Sequence, residues 1–287
     1  MLAQNQEVEI MRRALIVPLT LLFIVCFSMN GLAYYFEAGD AADQASADVV
    51  LDIVFASDTS GSMYDEMTAI SNAVYNIVDN IDCPDCDVWV RASFMGITGT
   101  YSGTYFNQTV RSYVIAAGGT PVSNNLEDNG PAVTDLVNWY NWNDDTTADQ
   151  DYYKAIVTIG DEGTEDGYPV YQSDWDAAYV ANQAAIANDV MVFSLVGTVY
   201  PGYEWDETNR NAVFEAMAEG GTGGGHAFGS TGGLFLLTTN NTLETDIENI
   251  ICTAAGGGQT DPVPEPATLL LLGTGLVGIA GFRRKKV

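Results

Sequence analysis

Apolar and polar positions along this chain alternate between two kinds of segment. Runs apolar at nearly every position occupy 48–57 (DVVLDIVFAS) and 153–163 (YKAIVTIGDEG), and 87–97 and 190–200 follow the same pattern. Continuous Val/Ile-rich runs of this length suit strands buried on both faces of a sheet. Between them, apolar residues recur at helical spacing. Met67, Ile70, Val74, Ile77, Val78 and Ile81 mark a helix over 64–81, and Leu126, Val133, Leu136, Val137 and Tyr140 mark one over 126–142. Further helices are predicted over 174–189, over 207–225, where glycines end it, and over 242–254, with Thr242 as cap. A strand is expected at 108–115 (QTVRSYVI) and a short edge strand at HAFGS, from 226. Strands alternating with helices predict an α/β fold: a doubly wound, mainly parallel sheet flanked by helices, with ligands beyond the carboxyl ends of the central strands.

Both chain ends read as export and sorting signals rather than as fold. Met11-Arg12-Arg13 precedes an apolar run to Phe27 and a small-residue segment with Gly31 and Ala33. Residues 1–33 are therefore expected to be a signal peptide, read from Met11 because Glu7 and Glu9 do not suit its basic start. At the other end Val263, Pro264, Glu265 and Pro266 precede an apolar stretch to Phe282 and the basic residues Arg283, Arg284, Lys285 and Lys286. This layout resembles the PEP-CTERM sorting signal of Gram-negative bacteria. The resemblance implies a short transmembrane segment that holds the chain transiently in the inner membrane, and an exosortase-type sorting protease as partner. The expected organisation is a signal peptide (1–33), a polar leader (34–47), one domain (48–254), a glycine-rich linker (255–262) and the sorting signal (263–287).

Charge narrows the partners. Of 38 acidic residues 36 lie within 34–282, against only Arg91, Arg111, Lys154 and Arg210 of the ten basic ones. Such a surface repels nucleic acid and anionic lipid and attracts divalent cations. Cys83, Cys86 and Cys252 remain once the signal is removed. In the expected topology the first and last helices both run away from the ligand edge, so Cys252 is expected to pair with Cys83 or Cys86. Redox use of Cys83-Pro-Asp-Cys86 is disfavoured because the motif closes a helix rather than opening one. A zinc site lacks ligands, since His226 is the single histidine.

The stretch DTSGS delivers Asp58, Ser60 and Ser62 at the end of one buried strand, Asp161 ends another, and Thr120 lies in a glycine loop ahead of a helix. Two carboxylates and three hydroxyls form an all-oxygen set suited to Mg²⁺ or Mn²⁺. The combination resembles the von Willebrand factor A domain and its metal-ion-dependent adhesion site (MIDAS). That resemblance implies a cation held by Asp58, Ser60, Ser62, Thr120 and Asp161, with a partner's acidic or other oxygen group completing its shell. Asp65 and Glu66 would either add a second cation, Ca²⁺, or simply favour a helix's first turn. Acidic loops at Glu162, Glu165 and Asp166 and over 143–151 are either loose Ca²⁺ sites or solvated loops. An aspartic protease would need a second Asp-Thr-Gly copy in an all-β fold, and a serine hydrolase would need His226 beside Ser60 or Ser62.

The expectation is an exported, non-enzymatic protein of the cell surface or extracellular matrix that binds a protein or glycan partner through its metal. The alternative is a structural component of the envelope or exopolysaccharide matrix with a purely structural metal site.

Overall fold

A computed structural model of the chain describes residues 35–78, 81–84, 86–199, 201–239 and 241–259. The expected signal peptide, the expected sorting signal with Val263 to Pro266, and both end-segment apolar runs lie outside the described residues. Among the described residues no helix is long and apolar enough to cross a membrane.

The chain folds as β1 (Tyr35–Gly39), β2 (Val49–Ser57), α1 (Tyr64–Val78), β3 (Val88–Gly96), α2 (Val110–Ala116), α3 (Asn129–Trp139), β4 (Asp151–Gly160), α4 (Gln172–Ala187), β5 (Met191–Val196), α5 (Glu207–Glu219), β6 (Gly221–Gly223), β7 (His226–Phe228), β8 (Phe235–Leu237) and α6 (Leu243–Ala255). Six strands form one sheet in the order β1-β3-β2-β4-β5-β8. Its neighbours pair in parallel except β1, which runs antiparallel to β3.

The apolar runs explain this arrangement. Every residue of β2 is buried. Its odd positions Val49, Leu51, Ile53 and Phe55 pack with α1 and α6 on one face. Val54 and Ala56 pack with α2, α3, α4 and α5 on the other. The connection leaving β2 passes to the first face and that leaving β4 to the second, which opens a crevice between the two strand ends. Ser57 stands opposite both Gly96 of β3 and Ile159 of β4, so the three strands finish level at one carboxyl edge.

Three elements depart from the sequence reading. The strand expected at 108–115 is α2. Thr109 and Ser112 form a reciprocal capping box, and the buried residues Val110, Tyr113 and Val114 follow helical spacing. β1 lies within the segment read as a polar leader, and Asp40 just after it accepts bonds from the backbone N–H groups of Val88 (2.6 Å) and Cys83 (3.1 Å). The HAFGS strand, β7, pairs with β6 in a separate hairpin, while the sheet's edges are β1 and β8.

Cys83 and Cys252 are joined, with Cα atoms 5.3 Å apart. The bridge forms because α1 and α6 lie side by side on one face and end at the same amino edge. Cys86 stands outside it. A second cross-tie joins the sheet's other face to the loop over 143–151. Arg91 of β3 donates to buried Asp52 of β2 and to Asp145, each at 2.6 Å, and Tyr152 also donates to Asp52, at 2.7 Å. Asp145 of that acidic loop is thereby engaged inside the protein by a guanidinium.

Candidate metal site

The carboxyl edge brings together four of the five residues expected there. The Asp58 backbone N–H donates to the Ile159 carbonyl (2.8 Å), which locks the exit of β2 against β4. One residue on, the Ser60 N–H donates to Asp58 Oδ1 at 2.6 Å and folds the chain into a tight Asx-type turn. A single 3₁₀ turn, Gly61–Met63, then leads into α1. The hydroxyls of Ser60 and Ser62 lie 2.6 Å apart, and Ser62 donates to Asp161 Oδ1 at 3.2 Å. Asp58, Ser60 and Asp161 are buried and Ser62 is half-buried.

Two acids of this edge are anomalous: Asp128, at the start of α3, has a buried Oδ1 without a hydrogen-bond partner, and Asp58 lies within the motif turn itself. Its Oδ2 is buried and has no hydrogen-bond partner. Burial pushes its carboxyl well above the usual carboxylate range, and the charges of Asp161 and Glu127 add to the push, although the Ser60 N–H opposes it. A buried, unpartnered carboxylate oxygen beside two hydroxyls and a second carboxylate is a set of hard oxygen donors lacking a counter-charge.

Asp161 is held from behind through its backbone. Its carbonyl accepts from the fully buried Arg210 of α5 (2.9 Å) and from the Tyr168 hydroxyl. Arg210 also reaches the Gly197 carbonyl (3.2 Å) and so ties the ends of β4 and β5 together. Sequence reasoning did not single out Arg210. The available signal was a lone basic residue among the apolar positions of a helix in so acidic a chain.

Thr120 is not brought to this edge. It follows α2, is exposed, and adjoins Gly119, which packs against the ring of Trp139 in the last turn of α3. The chain then retraces α3, held by Asp135, whose side chain accepts from the backbone N–H groups of Val122 and Ser123 (both 2.9 Å). Thr120 therefore sits about 15 Å, one length of α3, from the site end of that helix. The cause is α2: by descending from the carboxyl edge as a helix, it delivers the glycine loop to the wrong pole.

The residue that does arrive is Glu127. Thr59 donates its N–H to the Leu126 carbonyl (3.3 Å), which fixes residue 127 beside the motif turn. The Glu127 and Glu162 carboxyls crowd together over Gly167, where a Cβ would stand 2.1 Å from one and 2.6 Å from the other. With φ +82°, Gly167 is in the left-handed region as well. Burial, the charge of Glu162 and a bond to it lift Glu127 to about 7. The signal for Glu127 was the acid pair immediately before the Asn129-Gly130-Pro131 helix start.

The backbone of Asp65 and Glu66 lies in the first turn of α1, but their side chains lie outside what is described. Asp166 accepts from the Asn125 side chain (2.9 Å), and Glu165 is raised by burial and by the charges of Asp166 and Asp128. Among the described residues no group of three or more His, Cys, Asp or Glu side chains is arranged to hold a metal. A cation at this edge would depend on the serine hydroxyls as much as on the acids.

Fold and edge together define an α/β chain with a mainly parallel sheet and an oxygen-donor crevice at its carboxyl edge. Residues 262–285 match the family model for the PEP-CTERM protein-sorting motif, which marks an exported protein processed at its C-terminus. No curated protein matches the chain. Among solved structures it is similar to proximal thread matrix protein 1 from the mussel byssus, at 12% identity over 75% of this chain and 49% of that one, with a TM-score of 0.37. A structure of the same mussel protein with a zinc-occupied MIDAS motif is 13% identical over 75% of this chain and 48% of that one, with a TM-score of 0.35. The chain thus spans about half the length of these neighbours.

Proposed function

We propose that this is a non-enzymatic binding protein of the cell surface or extracellular matrix that engages its partner through a divalent cation, Mg²⁺ or Mn²⁺. The unpartnered, buried Oδ2 of Asp58 at the crevice carries the reading. Asp58, Ser60, Ser62 and Asp161 would hold the ion. When bound, it supplies a Lewis-acidic point that accepts an oxygen ligand from outside.

The chain's own groups prepare that point. Asp58 organises the turn through Ser60, the two serines present hydroxyls to each other, and Arg210 fixes the backbone of Asp161. Among the described residues the His226 ring bonds to Asp176 (2.7 Å) and stacks on Tyr179 rather than serving either serine, which favours binding over hydrolysis. The sorting motif supports an exosortase-type protease as the processing partner.

Titration calorimetry of the purified protein with MgCl₂ and MnCl₂ tests the site. One ion should bind to the wild type and none to Asp58→Asn. In EDTA the Asp58→Asn variant should be about as stable as wild type, because burial already disfavours ionisation of Asp58 and asparagine keeps an oxygen to accept from the Ser60 N–H. Saturation at about 100 times Kd should then favour only wild type, by roughly 2.7 kcal/mol. Equal cation binding by both proteins would sink the site.

A further inference from the structure

Beside the site runs a row of three aromatic rings that belongs to neither apolar cluster of the sheet. Tyr168, whose hydroxyl bonds to the Asp161 carbonyl, stacks on Tyr203 with centroids 4.6 Å apart and planes 12° from parallel. Tyr203 in turn lies 6.4 Å from Trp205, tilted by 34°. The row thus starts one hydrogen bond from a candidate ligand and ends at a tryptophan that is 68% exposed. That exposure is built in. Asp206, the next residue, is buried, accepts from the Val170 N–H (2.6 Å) and from the Asn209 side chain (2.7 Å), and so pins the turn that holds the ring outward.

The surrounding charge limits what can approach. Glu127, Glu162, Glu165 and Asp166 rim the Asp161 loop and its neighbour, while Arg210 is fully buried and turned to backbone carbonyls. An acidic partner would meet several like charges for each bond to one divalent ion. Sugar hydroxyls are hard, neutral oxygen donors that incur no such repulsion. A pyranose ring also offers a face of C–H groups that suits an exposed indole, an apolar body with a polar edge.

We propose that the partner of this edge is a neutral polysaccharide, one sugar giving neighbouring hydroxyls to the cation while another stacks on Trp205; this rests on the metal reading above. The test is affinity electrophoresis of the protein recovered from the surface fraction. Gels contain laminarin, galactomannan, xyloglucan, dextran or alginate, with Mg²⁺ or with EDTA. At least one neutral polysaccharide should retard the wild type. EDTA should abolish that retardation, and Trp205→Ala should weaken it at least tenfold in apparent Kd while calorimetric Mg²⁺ binding stays unchanged. Retardation by alginate alone, full retention in Trp205→Ala, or no retardation by any neutral glycan overturns the inference, as does exclusive binding of a basic protein. If Mg²⁺ binds while the glycans do not, this inference fails alone; if Mg²⁺ does not bind the wild type, the metal reading fails first.

Discussion

Replacing Cys83 and Cys252 together by alanine removes a cross-link between residues 169 positions apart. Both must go, since Cys86 lies three positions after Cys83 and a single Cys83 variant would leave it as an alternative partner for Cys252. Alanine is preferred to serine because Cys83 is only 6% exposed and sits in the apolar cluster shared by α1 and α6. In the chain-entropy account, opening a closed loop of this length frees the unfolded ensemble by about 5 kcal/mol at 25 °C. Natural bridges cost 2–5 kcal/mol on removal, so roughly 3–5 kcal/mol is expected here. For a domain of this size that corresponds to a fall in Tm of about 6–20 °C. Urea unfolding followed by tryptophan fluorescence measures it. Wild type treated with reductant should move onto the curve of the double variant, and the variant should ignore reductant. Its m value should rise, because the uncrosslinked unfolded chain exposes more surface. Coincident curves for oxidised wild type and variant would refute the reasoning, since the cross-link would then constrain nothing that matters.

Three further outcomes follow from other parts of the molecule. Arg91→Met strands the buried carboxylate of Asp52 and should cost about 3–5 kcal/mol in urea unfolding, whereas adding Asp52→Leu should recover a large part of it; equal loss in single and double variants would exclude the ion-pair account. Burial raises Asp174 from 3.8 to about 6, against the backbone N–H bonds from Tyr171 and Glu165 that pull it down. The folded state therefore keeps a proton that the unfolded chain has released, so this contribution is complete below pH about 4 and is lost as pH rises through about 6. It amounts to at most about 3 kcal/mol, and a pH series of Tm should show a steeper fall between about pH 4 and 6 in the wild type than in Asp174→Asn, which keeps only the contributions of Asp58, Glu127 and Glu165. Finally, the intact mass of the surface or extracellular fraction should lack Arg283 to Val287; finding them attached would mean that the C-terminus is a plain anchor.

What the sequence disclosed follows physical lines. β2, β4 and β5 were legible because strands buried on both faces need apolar side chains at consecutive positions, and few other elements tolerate that. Asp58 and Asp161 were legible because each ends such a run, where an acid is out of character. α2 was misread as a strand because Val110, Tyr113, Val114 and Ile115 carry high strand propensity, although the Thr109–Ser112 spacing already held the cap. Thr120 illustrates the harder limit. A glycine loop has no periodicity, and whether it falls at the carboxyl or the amino edge depends on the direction of the element before it. One wrong element type therefore moved a candidate ligand across the molecule and hid Glu127. β1 and β8 were missed for a simpler reason: runs of five and three residues are too short to show an alternation.

The position of the disulfide has a mechanical consequence. After α6 the chain passes Gly257 against Tyr153 and Gly258 against Met191, and the Gln259 N–H donates to the Gly232 carbonyl (2.7 Å). These residues lie at the amino edge, so the described chain ends at the pole opposite the oxygen-donor crevice. Tension on the tail enters at Gln259 and reaches Cys252, in the last turn of α6, seven residues earlier. There the covalent bond to Cys83 diverts it into the segment leading to β3, inside the sheet, before it can peel α6 from its bed. A bond at this place lets a pull on the tail pass from the last turn of α6 to the β3 side of the sheet rather than along the length of α6, at the pole opposite the crevice.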